Sequence, residues 1–183
     1  MSIFTVASQL HAKGLRGFTV VAASDDDLYL KSWLQLVASL RDATSIMHAA
    51  HWNIRAPNFS ELHDHFGKIY NTAFAFTDDA AEQLRVLNIG FEIPLDPQVM
   101  RQHSFINIQE VEAQKSGMGK PETRANVLLS YAQLILDKLH AHLKMMNKLA
   151  GSNNDAGGAD LLGRMAADIS KLVWKNRSFE PQV

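Results

Sequence analysis

The chain has 183 residues, carries a formal net charge of −1 and contains no cysteine. The near balance of charge argues against a generally basic nucleic-acid-binding protein, and the lack of cysteine excludes disulfides and thiolate metal sites. Hydrophobic residues make up 46% of the chain, enough for the core of one domain, but no apolar run approaches the roughly 20 residues that span a membrane.

Residues 1–24 contain no acidic residue and carry Lys13 and Arg16. A transit peptide, a DNA-binding arm and a plain extension each fit this composition. Two fixed positive charges are few for binding phosphates, and three aspartates follow at once. We therefore predict an N-terminal extension that packs on a neighbouring subunit, then one helical domain over residues 25–177 and a short tail over residues 178–183.

The first predicted helix runs from about Asp25 to Asn53. Its apolar residues recur three or four positions apart, which is the spacing of one helix face. These residues are Trp33, Leu36, Val37, Leu40 and Met47. His51 continues the same face and is expected to point inward, either as a core histidine or as a metal ligand. His48, one turn earlier, is interpreted as structural.

Pro57 ends this first segment, because proline disfavours helix in the residue before it and suits the first turn of the next helix. The second predicted helix runs from about Asn58 to Asn88. Its core face comprises Phe59, Leu62, Phe66, Ile69, Ala73, Thr77, Ala80, Leu84 and Leu87. A neighbouring face comprises His63, Gly67, Tyr70, Phe74 and Asp78, with Glu82 at its edge, and is predicted to contact another subunit.

Residues 89–120 are unusually long for a bare connection, and Asp96-Pro97 can start a short helix that reaches about His103. The third long helix is predicted from Pro121 to about Gly151, and the fourth from Asp155 or Asp160 to Arg177. Four long helices with a long central connection predict an all-α four-helix bundle.

Two features of the third helix are interpreted as structural. Asp137 and His140 lie three residues apart, which would suit a metal, but they lie off the apolar face and are interpreted as a surface pair. Met145 and Met146 are interpreted as core residues.

A carboxylate pair on the second helix carries the functional argument. Asp78 and Glu82 are four residues apart and therefore lie side by side on a helix. His63 lies fifteen positions before Asp78, which is about 22 Å along a helix axis. One metal ion cannot touch both groups within one chain.

A two-fold axis near residue 71 or 72 would solve this spacing problem, because two antiparallel copies of the helix would bring His63 of one chain beside Asp78 and Glu82 of the other. His51 would fold back beside His63 through the turn at Pro57. We therefore predict a site shared between chains, with two histidines from one and two carboxylates from its mate. Imidazole and carboxylate ligands suit a metal such as iron. The alternative for the two carboxylates is a solvated helix face, as expected for Asp79.

A di-iron site inside one bundle would need Glu-x-x-His pairs on its helices. The sequence contains no Glu-x-x-His, and the first helix has no glutamate. The shared site therefore remains as the predicted iron site.

The same residues carry a resemblance to a known family. His51-Trp52-Asn53, Pro57, Phe59, Leu62-His63, Phe66, Tyr70, Asp78 and Ala81-Glu82 resemble the signature of the Dps family, the DNA-protecting mini-ferritins of starved bacterial cells. Residues of the last predicted helix also resemble the last helix of the family. They are Asp155, Ala159-Asp160-Leu161-Leu162 and Lys171-Leu172-Val173-Trp174. The resemblance covers about residues 25–177.

The resemblance implies a ferritin-like four-helix bundle with a short extra helix in its central crossover. It implies hollow shells of twelve subunits that oxidise Fe(II), usually with hydrogen peroxide, at two-fold interfaces and store the ferric product. It further implies that Trp52 lies near the iron and traps stray oxidising equivalents, and that the protein acts in the bacterial cytoplasm or nucleoid. Family members bind DNA mainly through basic extensions, of which this chain has little.

One ligand position departs from the family pattern. The family usually has an aspartate four residues after the second histidine, and this chain has Gly67 there. Asp64 and His65 are near in sequence but project from other faces of the helix. A shell with weak or no iron oxidation, acting as a DNA-binding or structural protein, is therefore the alternative to a ferroxidase.

Overall fold

The computed structural model describes residues 25–107, 109–110 and 121–179. The predicted N-terminal extension, the glycine-containing approach to Pro121 and the end of the tail lie outside the described residues. Within them, no helix is both long enough and apolar enough to cross a membrane.

Four long helices and one short helix make up the described structure. They are α1 (Asp25–Asn53), α2 (Phe59–Leu87), α3 (Pro97–Arg101), α4 (Pro121–Ser152) and α5 (Ala156–Arg177). Helix α1 packs along α2 and α4 along α5, and the two hairpins meet where α1 touches α4 and α2 touches α5. The predicted four-helix bundle and its helix boundaries are therefore confirmed to within a few residues.

The predicted apolar faces form one continuous core. The five apolar residues expected on α1 are all buried, and Trp33, Leu36, Leu40 and Met47 have no exposed surface. Facing them from α2 are the buried residues Leu62, Phe66, Ile69, Ala73, Ala80 and Leu84. Helical periodicity thus identified the buried side of both helices.

Two residues expected in the core are exposed. Phe59 keeps 47% of its surface exposed and stacks on His63 of its own helix, with ring centroids 4.9 Å apart. Met145 is 40% exposed whereas Met146 is fully buried. Adjacent residues on a helix point about 100° apart, so only one of the two methionines faces the core.

The central crossover is held against α1 by polar contacts. The side chain of Asp96 accepts a hydrogen bond from the backbone N–H of Gln98 at 2.8 Å and so caps α3. Arg101, the last residue of α3, donates to Asp42 at 3.3 Å, and Ser39 Oγ accepts from the Phe105 N–H at 3.0 Å. Helix α3 ends two residues before the predicted His103, and the crossover then follows α1.

The turn between α4 and α5 centres on Asp155. Its carboxylate accepts the backbone N–H of Gly158 at 2.8 Å, which caps α5. The same carboxylate accepts the Tyr29 hydroxyl at 2.9 Å and the Gln83 amide at 3.2 Å. One side chain therefore ties the start of α5 to both α1 and α2.

Candidate metal centre

His51 and His63 lie face to face at the turn between α1 and α2. Their rings stack with centroids 3.6 Å apart. His51 Nδ1 lies 2.8 Å from the backbone oxygen of His63, and His63 Nδ1 lies 3.0 Å from the backbone oxygen of His51. Each histidine therefore bonds to the backbone of the other, and the pair holds the end of α1 against the start of α2.

These reciprocal bonds fix which nitrogen of each ring carries the proton. A carbonyl oxygen can only accept a hydrogen bond, so both Nδ1 atoms must donate. In a neutral imidazole the other nitrogen, Nε2, then keeps its lone pair. A metal-binding histidine is commonly oriented in this way by a carbonyl acceptor behind it. The pair thus has the protonation pattern and fixed ring orientation of two metal ligands.

Gly67 lies directly beside the ring of His51. A Cβ atom built at position 67 would lie 3.5 Å from His51 Cε1 and 3.5 Å from His51 Nδ1, an ordinary van der Waals contact. The backbone therefore leaves room for a Cβ atom here, next to the ring of His51.

The two carboxylates lie elsewhere on the same chain. Helix α2 is unbroken from Phe59 to Leu87, so Asp78 and Glu82 are separated from His63 by four to five helical turns. Both carboxylates belong to exposed residues. In the described residues of this one chain, no group of three or more histidines and acids lies close enough together to hold a metal ion. The structure brings together His51 and His63 and leaves Asp78 and Glu82 apart from them.

The face of α2 between these two half-sites carries exposed aromatic surface. Phe74 is 69% exposed, and Trp52, at the end of α1, is 68% exposed. A groove of about 560 Å³ runs past Asp78 and is lined by Phe74, Arg41 and Ile93 among others. Large exposed apolar residues on one face are typical of surfaces that contact another protein.

Trp52 belongs to a stack of aromatic rings beside the histidine pair. His48 lies between Trp52, at a centroid distance of 4.0 Å, and Tyr70, at 4.3 Å. Tyr70 in turn meets His51 edge-on at 5.3 Å. His48 thus packs against its neighbours, in agreement with its structural interpretation.

Other histidines near the site have different partners. His65 is fully buried, and its Nε2 lies 3.0 Å from the Asn176 side-chain oxygen. Burial lowers the pKa of His65 below its ordinary value and outweighs the hydrogen bond to Asn176, which acts in the opposite direction. His65 therefore faces α5, away from the proposed site, as its position on the helix predicted.

Asn176 is a residue that sequence reasoning missed. Its amide donates to the backbone oxygen of Leu129 at 3.0 Å and to the Gln133 side chain at 3.1 Å. The available signal was a polar residue one turn after Leu172 and Val173 on the apolar face of α5. Asp137, which was predicted to form a surface pair with His140 on α4, accepts a hydrogen bond from Arg177 of α5 at 3.3 Å.

Comparisons with known proteins agree with this architecture. Residues 34–179 match the ferritin-like domain. The DNA protection during starvation protein of Brevibacillus brevis is 27% identical over 133 residues, which are 73% of this chain and 81% of the relative. DNA protection during starvation protein 2 of Bacillus anthracis is 27% identical over 134 residues, or 73% of this chain and 83% of the relative.

Solved structures show the same fold. The crystal structure of a Dps protein from Bacillus brevis superposes with a TM-score of 0.70 at 23% identity, covering 87% of this chain and 99% of that chain. Dps from Thermosynechococcus elongatus superposes with a TM-score of 0.74 at 18% identity, covering 87% and 94%. The chain therefore belongs to the ferritin-like family, and among its relatives it is similar in sequence and in fold to Dps proteins.

Proposed function

We propose that this protein is a mini-ferritin that binds and oxidises Fe(II) at sites shared between two subunits and stores the ferric product in a hollow shell. Two Fe(II) ions each give up one electron, and one hydrogen peroxide takes up both electrons and two protons to form two waters. Consuming peroxide together with Fe(II) would limit oxidative damage. The observation that carries the proposal is the histidine pair, whose Nδ1 atoms both donate to backbone oxygens and leave Nε2 available.

The shared site is supported by the position of its two halves on α2. His63 lies at the start of α2, beside His51 at the end of α1, and Asp78 and Glu82 lie in the second half of α2, which is unbroken over 29 residues. A two-fold axis between the halves would place each histidine pair beside the partner's carboxylates. Exposed Phe74 lies between the two half-sites, where such a contact would cover it.

The finer features of the proposal come from the Dps proteins as a group. We infer a shell of twelve subunits with iron sites at its two-fold interfaces, in the bacterial cytoplasm or nucleoid. Trp52, exposed beside His51, would collect stray oxidising equivalents. DNA is a weakly supported partner, because the formal net charge of the chain is −1 and residues 1–24 contain only one lysine and one arginine.

Removing one ligand from each half of the site tests the proposal. We expect His51→Ala and Asp78→Ala each to lower the initial rate of Fe(II) oxidation by at least about tenfold, the loss that even indirect damage to a metal site causes. Asp79→Ala, which removes the adjacent exposed carboxylate, is the matched control and should keep the wild-type rate. The rate is followed by the absorbance of the ferric product after peroxide is added. Equal rates for all four proteins would contradict the proposal.

A second candidate function is a shell that binds iron but turns it over slowly, and Gly67 is the observation that favours it. We expect Gly67→Asp to raise the oxidation rate severalfold, because the Cβ atom of the new side chain would lie 3.5 Å from the His51 ring and its carboxylate would add an anionic ligand. Gly67→Asn has the same shape without the charge and is the control. If the aspartate variant is no faster than the asparagine variant, the native site does not lack a ligand.

A further inference from the structure

A second groove, of about 560 Å³, lies between α2 and α5. Lys68 and Thr72 line it from α2, and Asp168, Lys171, Leu172, Trp174 and Lys175 line it from α5. Lys68 and Thr72 are four residues apart and so share one face of α2, a face turned away from the one that carries His63 and Asp78. The groove is therefore separate from the proposed iron site.

The charge of this groove is positive and only partly compensated. Three lysines and one aspartate line it, which leaves two positive charges in excess. Lys171 donates to Asp168 at 2.8 Å. Among the described residues, Lys68 and Lys175 have no carboxylate within ion-pair distance, and they face the groove from opposite helices. Two unpaired ammonium groups that line one groove attract an anion.

The remaining wall of the groove is aromatic. Trp174 is 72% exposed. This exposure is unusual, because tryptophan has a large apolar surface that is normally buried. Leu172 continues this apolar wall deeper in the groove. An indole face next to ammonium groups suits a nucleotide, because a base can stack on an aromatic ring while lysines hold the phosphate.

We propose that the groove between α2 and α5 binds a nucleotide, with the phosphates held between Lys68 and Lys175 and the base packed on Trp174. Binding needs no iron and does not rest on the proposed oxidation chemistry. The proposed ligand is a small molecule, because the groove has one exposed aromatic ring and two lysines without a carboxylate partner.

Three probes separate the contributions of phosphate and base, measured by calorimetry on the assembled protein at low salt. We expect ADP to bind more tightly than inorganic phosphate, and phosphate more tightly than adenosine. Lys68→Gln and Lys175→Gln should each weaken ADP binding by at least about fivefold, since each removes a charge-assisted hydrogen bond. Lys144→Gln, an exposed lysine on α4 outside the groove, is the matched control and should leave the affinity unchanged.

Trp174→Ala tests the aromatic half of the proposal. We expect this variant to bind ADP no better than phosphate while keeping its affinity for phosphate, and we expect ADP to quench tryptophan fluorescence in the wild type but not in Trp174→Phe. Phosphate binding as tightly as ADP to the wild type would overturn the nucleotide assignment. ADP affinity unaffected by both lysine variants, or binding of single-stranded DNA without any binding of ADP, would overturn the site.

Discussion

Equal amounts of a His63→Ala chain and an Asp78→Ala chain, unfolded together and refolded, should recover about a quarter of the wild-type rate of Fe(II) oxidation. Each variant refolded alone should keep no more than about a tenth of that rate. The recovery would come from sites in which one chain supplies the intact histidines and the other the intact carboxylates.

The expected fraction follows from two-fold symmetry. In a mixed pair, one site loses both its histidine and its carboxylate, and the other site keeps every ligand. Random pairing makes about half of all pairs mixed, so about a quarter of all sites are complete. A site built within one chain would give no recovery, because every chain in the mixture carries a defect.

The control for this experiment is a mixture of His51→Ala and His63→Ala chains. Both changes affect the same half of the site, so no pairing can restore a complete site and the rate should stay low. Native mass spectrometry on chains of different isotopic mass measures how many pairs are mixed. Mixed pairs without recovery in the first mixture, or equal recovery in the two mixtures, would rule out a shared site.

Gly158→Ala should lower the free energy of unfolding by about 3 kcal/mol, because it combines overpacking with the loss of a helix cap. A Cβ atom at this position would lie 2.1 Å from the Asp155 carboxylate and 2.8 Å from the Tyr29 hydroxyl. Asp155 would have to move, and its bonds to Tyr29 and Gln83 would be disturbed with it. Urea unfolding at fixed protein concentration, followed by circular dichroism, measures the change.

Gly163→Ala is the matched control, since Gly163 lies on the same helix and is exposed. A Cβ atom there would meet only the Asn147 amide, at 3.8 Å. Replacing glycine by alanine inside a helix stabilises it by up to about 1 kcal/mol, so this variant should be at least as stable as the wild type. If both alanine variants are equally stable, Asp155 does not hold the three helices together.

The fold could be predicted almost completely from the sequence because its signals are local. Pro57 and Pro121 mark helix starts, and an apolar residue at every third or fourth position marks the buried faces. Phe59 and Met145 show where this reasoning ends. Periodicity gives the angle of a side chain about its helix axis, but whether another helix lies opposite depends on tertiary packing.

The candidate site, too, could be predicted from the sequence only in part. The spacing of His63 and Asp78 predicts that the two residues lie far apart on one helix, and α2 is indeed continuous between them. The two hydrogen bonds, one from each histidine ring to the backbone of the other histidine, could not be predicted, because they depend on how closely α1 approaches α2 at the turn. The contact between His65 and Asn176 joins positions 111 residues apart, and no local pattern encodes it.

The continuity of α2 limits which insertions and deletions this chain can accept during evolution. His63 and the two proposed acid ligands lie on one continuous helix, so an inserted or deleted residue between them would rotate the acids by about 100° relative to His63 and shift them by about 1.5 Å. A substitution between His63 and Asp78 changes the contacts of one residue, whereas an insertion or deletion there changes the position of both acids relative to His63. The interval from His63 to Asp78 should therefore keep a constant length across descendants that still handle iron, even where its residues differ.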